Sequence, residues 1–314
     1  MINWGPGMRR STVSDRTIRS MNPSAEPLRV SVMITTHNRL PVLRQTLSVL
    51  RQLEPGPLEI LVTADGCSDG TAECLRSEFP EVRLMVNEPA RGSVASRDRM
   101  MREATGELVL SLDDDSYPEQ KDCLRRIVDI FGGRKLLAVA HFPQRTDEYP
   151  ETLARTDFGH ACLTRTFANS GACLRRSTYL RLPGFEPRFF HAYEEPDYSL
   201  QCVAHGFEIL FVPTLIVRHH YSGLARNKIR THHRHARNEL WSTLMRCPFP
   251  FSVAMILYRI FSQFRFACRK GLAWTVREPV WWWQALKGTP YFLRKAQPYS
   301  WSAYRQWLKL PVKL

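Results

Sequence analysis

Leu108-Val109-Leu110-Ser111-Leu112-Asp113-Asp114-Asp115-Ser116-Tyr117-Pro118 is an apolar run that carries three carboxylates to its end and then stops. Strands of a parallel sheet buried on both faces read as continuous apolar runs, and ligands gather outside their carboxyl ends. Three adjacent acids at such a tip repel one another unless a cation joins them. Their hard oxygen donors suit Mg²⁺ or Mn²⁺ shared with phosphate oxygens. A solvated acidic turn closed by Pro118 fits the same residues, so the surroundings must decide.

Working outward, the chain alternates. Residues 29–36 form a β-branched apolar run, and Leu43, Leu47 and Leu50 then recur at helical spacing over 40–52. Residues 58–63 predict a second strand, 72–78 a helix, 82–86 a third strand, and 95–103 a helix leading into the aspartate strand. Beyond it the pattern predicts a helix over 123–131, a strand over 136–142 and a polar stretch to about 167. A short helix over 199–204 and strand segments over 207–213 and 215–220 follow. Strands alternating with helices mean βαβ units and a mostly parallel sheet with an open face at its strand ends. Past residue 221 the pattern is helical.

The chain has 314 residues and a net charge of +14, unevenly placed. From Leu215 onward there are 18 Lys/Arg against two acids, Glu239 and Glu278, which leaves 26 basic and 28 acidic residues in the remainder. Seven of the eight tryptophans also lie in that basic third. The eight cysteines form no C-x-x-C pair and read as reduced thiols. No stretch is long and apolar enough for a spanning helix. The organisation predicted is a flexible leader over 1–27 without a secretory h-region, a catalytic α/β body over 28–225, and a basic, Trp-rich helical region over 226–314.

Five pieces fall at predicted strand ends or in the loops after them: Thr35-Thr36-His37-Asn38-Arg39, Asp65-Gly66 through Asp69-Gly70-Thr71, Ser96-Arg97-Asp98, the aspartate triplet, and Glu194-Glu195-Pro196-Asp197. In this order, over about residues 29–220, they resemble the family 2 glycosyltransferases, inverting enzymes of the GT-A fold. One short motif is weakly specific, whereas five in order with the intervening β/α pattern are not. The resemblance implies a GT-A, Rossmann-like, mostly parallel sheet flanked by helices, with a basic helical C-terminal extension.

It also implies roles. Thr35, Thr36, His37, Asn38 and Arg39 match the motif that helps hold the nucleotide. Asp65, with Gly66, matches the acid that hydrogen-bonds the base, although an Asx-turn explains the pair equally. Arg97 matches the Arg near the donor; Asp98 stands where relatives usually carry Asn. Asp113 is assigned to ribose and Asp115 to the metal, with Asp114 beside them in the nucleotide-sugar site. His220 is favoured over His219 as the histidine completing the metal site, adjacent strand residues pointing to opposite faces. Glu195 matches the catalytic base, with Glu194 and Asp197 in reserve and a helix-cap role suiting Asp197.

The reaction implied is metal-dependent transfer of a hexosyl-type sugar from a UDP-, dTDP- or GDP-sugar donor to a hydroxyl of a glycan or lipid-linked acceptor. Residues 232–235 (His-His-Arg-His) read as a basic helical face, because the local sequence offers no acid beside them. Basic residues interleaved with aromatics suit an anionic membrane surface, which places the chain in the cytoplasm, peripheral on the inner face of the plasma membrane. Two rivals fare worse. A nucleotidyltransferase needs a Gly-rich phosphate loop after the first strand, and residues 35–40 contain no glycine. A nucleic-acid-binding module fits the charge alone and lacks a recognition motif, so no nucleic-acid partner is expected.

Overall fold

Val32, Met33 and Ile34 are completely buried in β1 (Val30–Thr36), the condition under which a strand reads as unbroken apolar sequence. A computed structural model describes residues 28–221 and 227–313. The leader over 1–27 and the boundary at 225/226 lie outside the described residues. After β1 come α1 (Leu40–Leu50), β2 (Glu59–Asp65), α2 (Thr71–Glu78), β3 (Val82–Asn87), α3 (Ser93–Glu103) and β4 (Leu108–Asp113). Leu43, Leu47 and Leu50 are the buried stripe of α1, as their spacing requires.

The chain continues through β5 (Ser116–Pro118), α4 (Cys123–Phe131), β6 (Leu137–His141), β7 (Gln144–Thr146), β8 (Cys162–Leu163), β9 (Ala172–Arg175) and α5 (Arg176–Arg181). It then forms α6 (Glu194–Ala204), β10 (Glu208–Phe211) and β11 (Val217–His219). The main sheet has eight strands in the order β3-β2-β1-β4-β9-β6-β10-β8. β3, β2, β1 and β4 run parallel, as do β6 and β10, while β9 is antiparallel to both β4 and β6. β8 closes the edge antiparallel to β10.

The second strand segment predicted after 207 belongs elsewhere. β11 is the middle of a separate three-stranded sheet, antiparallel to β5 and parallel to β7. That sheet positions the site. β5 begins directly after the aspartate triplet, and the register pairs His219 with Ser116, so the last residue of β11 arrives beside Asp115.

The C-terminal region comprises α7 (Lys228–Arg246), α8 (Phe251–Lys270), α9 (Leu272–Thr275), α10 (Glu278–Arg294) and α11 (Trp301–Lys309). α7 packs between α10 and α8, and α11 covers α6. Trp241 stacks on Phe292 of α10 at 4.3 Å between ring centroids. Trp241, Trp281 and Trp307 are buried: Trp241 and Trp307 pack in clusters shared with the body, and Trp281 in one formed by α7, α8 and α10. Of the Trp-rich block expected at a membrane, Trp281 is wholly buried and Trp283 is exposed.

Candidate active site

The parallel register of β1 and β4 sets Thr35 against Asp113, so the first motif and the aspartate triplet emerge side by side. Thr36 Oγ1 donates to Asp114 at 2.8 Å, and Thr46 Oγ1 to the Asp114 carbonyl at 2.8 Å. Arg39 spans two of the acids, at 2.6 Å to Asp114 and 2.5 Å to Asp115. Burial pushes the Asp114 carboxyl up to about 7 against the opposing charge of Arg39. Burial works the same way on Asp115, but His219 and Arg39 outweigh it and hold that carboxyl down at about 2. Of these two neighbours, Asp115 is thus the firmer carboxylate.

Asp113, Asp115 and His219 each bring one ligand atom within 4.8 Å of the others. His219 Nε2 lies 3.1 Å from Asp115 Oδ1 and 3.9 Å from Asp113 Oδ2. Gln144 orients the ring: its amide nitrogen donates to Ser170 Oγ at 2.6 Å, which turns its Oε1 toward His219 Nδ1 at 2.9 Å. Nδ1 is then the donor to Gln144, and Nε2 is the ring nitrogen that faces the carboxylates: protonated, it donates to Asp115, and deprotonated it would offer its lone pair to an ion bound there, the arrangement used by metal-binding histidines. Two carboxylate oxygens and an imidazole nitrogen make a donor set that fits Mn²⁺ or Mg²⁺.

The expected ligand His220 is turned away from this cluster. Its Nε2 lies 2.7 Å from Tyr117 Oη, and its Nδ1 3.6 Å from Asp147. Successive β-strand residues face opposite sides, and the Ser116 register gives the inward side to His219. Asp113, read as the ribose acid, stands in the same cluster and also pairs with the buried guanidinium of Arg97.

Arg97 is the link to the second acidic element. It reaches Asp113 on one side and Glu194 at 3.5 Å on the other, and both acids hold its own proton more firmly against the cost of burial. Asn169 Nδ2 donates to Glu194 at 3.3 Å. Glu194 is buried, and Glu195 is partly buried with a long contact of 3.4 Å from the Asn169 backbone amide. Burial, with the neighbouring Glu194 charge second, raises the Glu195 carboxyl to about 8. Such a carboxyl sits close to the range in which a general base works.

Asp197 is not part of this opening. Its oxygens accept from Ser242 Oγ at 2.7 Å, from Gln201 at 2.8 Å and from Arg246 at 3.3 and 3.4 Å. Neither a reserve base nor a helix cap, it fastens α6 to α7; the residue before the helix is Tyr193, and no side chain caps it.

Asp65 is equally committed. Register pairs it with Asn87, whose Nδ2 donates to it at 2.8 Å, and the backbone amides of Arg91 and Gly92 donate at 2.8 Å each. The carboxylate thus holds the turn into α3 instead of facing open space. Gly66 follows at φ +67°, where an added Cβ would lie 2.7 Å from that of Ala90. His37 Nδ1 meets the Asp65 carbonyl at 2.6 Å, and Asn38, at φ +52°, accepts from the Ser68 amide at 2.7 Å. His37 and Asn38 thus brace the loop after β2, while Arg39 is tied to Asp114 and Asp115. Asp98 pairs with Arg102 and accepts from Tyr179 Oη at 2.7 Å. Gln144, Asn169 and Ser170 lie outside the five sequence pieces, and as isolated polar residues they carry no motif that marks them.

A parallel sheet with an antiparallel strand inserted beyond the aspartate strand, and acids gathered at the strand ends, define a GT-A glycosyltransferase. The chain belongs to glycosyl transferase family 2, whose sequence profile matches residues 31–210. It is 25% identical over 210 residues to the uncharacterised glycosyltransferase YwdF of Bacillus subtilis, covering 64% of this chain and 77% of that protein. It is 29% identical over 108 residues to the glycosyltransferase AglE of Haloferax volcanii, which spans 33% of this chain and 36% of that one. Among solved structures, the mannosyltransferase PcManGT of Pyrobaculum calidifontis, in complex with GDP-Man and Mn²⁺, superposes with a TM-score of 0.56 at 18% identity, covering 87% of this chain and 85% of that one. Staphylococcus aureus TarS 1-349 with UDP-GlcNAc gives 0.57 at 16% identity, over 85% and 82%.

Proposed function

We propose that this glycosyltransferase performs inverting, metal-dependent transfer from a nucleotide sugar to an acceptor hydroxyl, with Glu195 as the base. The observation that carries the reading is the chain of contacts Asp115–His219–Asp113–Arg97–Glu194, which ends next to Glu195. Asp113, Asp115 and His219 would hold the divalent ion. Bound there, it would supply the positive charge that offsets the charge gained by the departing nucleoside diphosphate. Arg97 holds Asp113 and Glu194 at a fixed spacing, so the donor end and the base end of the site keep their registry. Glu194 is tied to Arg97 and Asn169, which leaves Glu195 as the carboxyl able to accept the acceptor's proton while its oxygen attacks the anomeric carbon.

The donor class is a UDP-, dTDP- or GDP-sugar, and the structural relatives solved with UDP-GlcNAc or GDP-Man and Mn²⁺ support that class. Glu195→Gln is expected to bind the nucleotide with Mn²⁺ as wild type does and to lose turnover by ~10²–10⁴-fold, the usual worth of a general base. Full activity in that variant would move the base elsewhere, and an axial/equatorial assignment of the product by NMR tests inversion.

The acceptor reading is a glycan or lipid-linked hydroxyl at an anionic membrane surface. Two features support it. In the twenty residues of α8 the one buried residue is Ala267, and Val253, Leu257, Tyr258 and Phe261 are each more than half exposed. Both acids of the C-terminal third are buried: Glu239 pairs with Arg259 at 2.6 Å, and Glu278 with His232 at 2.8 Å and Trp281 at 2.8 Å. Glu278 is the acid that the local sequence around 232–235 did not offer. No described helix is long and apolar enough to cross a membrane, so the contact proposed is peripheral.

A further inference from the structure

Three non-glycine residues in the left-handed region stand together directly before the acidic element: Phe190 at φ +67°, Ala192 at +72° and Tyr193 at +73°. A side chain disfavours this conformation, and it persists where the surroundings impose it, most often at functional sites. Here Glu194 and Glu195 begin the helix that follows.

The imposing group comes from α7. Asn238 is wholly buried, and its Nδ2 donates to the carbonyls of Phe189 at 3.0 Å, His191 at 3.0 Å and Ala192 at 2.8 Å. Two amide hydrogens are shared among three acceptors, and the opposite end of the side chain accepts from Arg237 Nε at 3.2 Å. Arg237 adds a second bond to the Phe189 carbonyl at 3.3 Å, the Arg234 guanidinium lies 4.5 Å over the Phe190 ring, and His235 meets the Tyr193 ring edge-on. From the other side the start of α3 closes in: Val94 N donates to the Phe190 carbonyl at 3.3 Å, and a Cβ on Gly92 would fall 2.2 Å from that oxygen.

We propose that Asn238 is a positioning residue for the transfer reaction. By tying carbonyls just before and within the left-handed turn, it fixes the backbone from which Glu195 is presented, and α7 becomes part of the catalytic unit although it lies beyond the family's matched segment. The inference rests on Glu195 as the base.

The test uses the full chain with Asn238→Ala and Asn238→Asp, the second keeping the shape while setting a carboxylate against three carbonyls. Hydrogen exchange of peptides spanning 189–196 is expected to speed up at least tenfold in both, with β1 to β4 unchanged. Binding of UDP, dTDP or GDP with Mn²⁺ is expected to shift less than threefold, and turnover at saturating donor to fall at least tenfold. Unchanged exchange over 189–196 would overturn the proposal, as would a turnover loss that merely follows weaker nucleotide binding. If Asn238→Ala does not fold, Arg234→Ala is expected to loosen the same peptide by a smaller factor, and no loosening there counts against the idea. If the wild type transfers no sugar from any donor, the glycosyltransfer reading fails, while the exchange result still decides whether Asn238 holds the loop.

Discussion

His219 and His220 are neighbours with opposite assignments, and the difference is open to a simple experiment. His219 faces Asp113 and Asp115, whereas His220 meets Tyr117 and Asp147. Calorimetry with Mn²⁺ and a nucleoside diphosphate is expected to show at least tenfold weaker binding for Asp115→Ala and His219→Ala, and a change within threefold for His220→Ala. Unchanged binding in His219→Ala would remove His219 from the ion site. Glu195 makes a second prediction, through pH. Its carboxyl rises from 4.5 to about 8 in the folded protein, so folding favours its protonated form. The resulting stability is fully present below about pH 4.5 and is lost as pH rises through about 8. Glu195→Gln removes the charge and is expected to melt higher than wild type at pH 8, with the gap closing toward pH 4.5. No difference at pH 8 would mean that the carboxylate is satisfied in the folded state. The acids of this site were legible from sequence because they cluster after an apolar run; which histidine faces them was not, since that depends on the register between β11 and β5.

The elements are tied by buried polar joints, of which Asp197 with Arg246 is one. Both side chains are nearly inaccessible, and the pair joins the helix that carries Glu195 to α7. Truncating one member of a buried ion pair leaves the other charge without a partner, at a cost of roughly 3–5 kcal/mol. Asp197→Ala is therefore expected to lower unfolding free energy by about that amount in urea titrations, as would Arg246→Ala. A loss of turnover in Asp197→Ala at unchanged stability would restore a chemical role. Elements with strong periodicity, such as β1 through β4 and their helices, were readable as strand and helix. The first turn of α6 was not, because its Glu-Glu-Pro-Asp sequence has no apolar stripe to mark it. β9 escaped notice for a related reason: four residues are too few to show a period, and its place in the sheet is set by partners far along the chain.

At the scale of the molecule the charge asymmetry seen in the sequence becomes sharper. Because Glu239 and Glu278 are internal, the C-terminal helices show no acid at the surface among the described residues. Anionic vesicles are expected to co-sediment the protein, and Leu257→Glu with Phe261→Glu to reduce the bound fraction severalfold without lowering the melting temperature. Binding that survives the double change would assign the contact to another face. Added salt is expected to weaken the interaction, since exposed charges are screened beyond ~8 Å at physiological ionic strength.

The antiparallel β9 between β4 and β6 has a consequence for the order in which the chain can assemble. β1, β2 and β3 pair with their neighbours in sequence, each pair closed by the helix between its members, and β4 then crosses back over α3 to join β1, so the first half of the sheet can form as soon as it has left the ribosome. β6 has no such freedom. It is made before β9, yet its route into the sheet runs through β9, so it must wait beside an unfinished edge until that strand arrives. Pairings that close long loops are slow, and an open edge invites the wrong partner while it lasts. Pulse-labelling during refolding should accordingly protect β1 to β4 first and β6, β9 and β10 together afterwards, and the interval between them is when this protein is most exposed to aggregation.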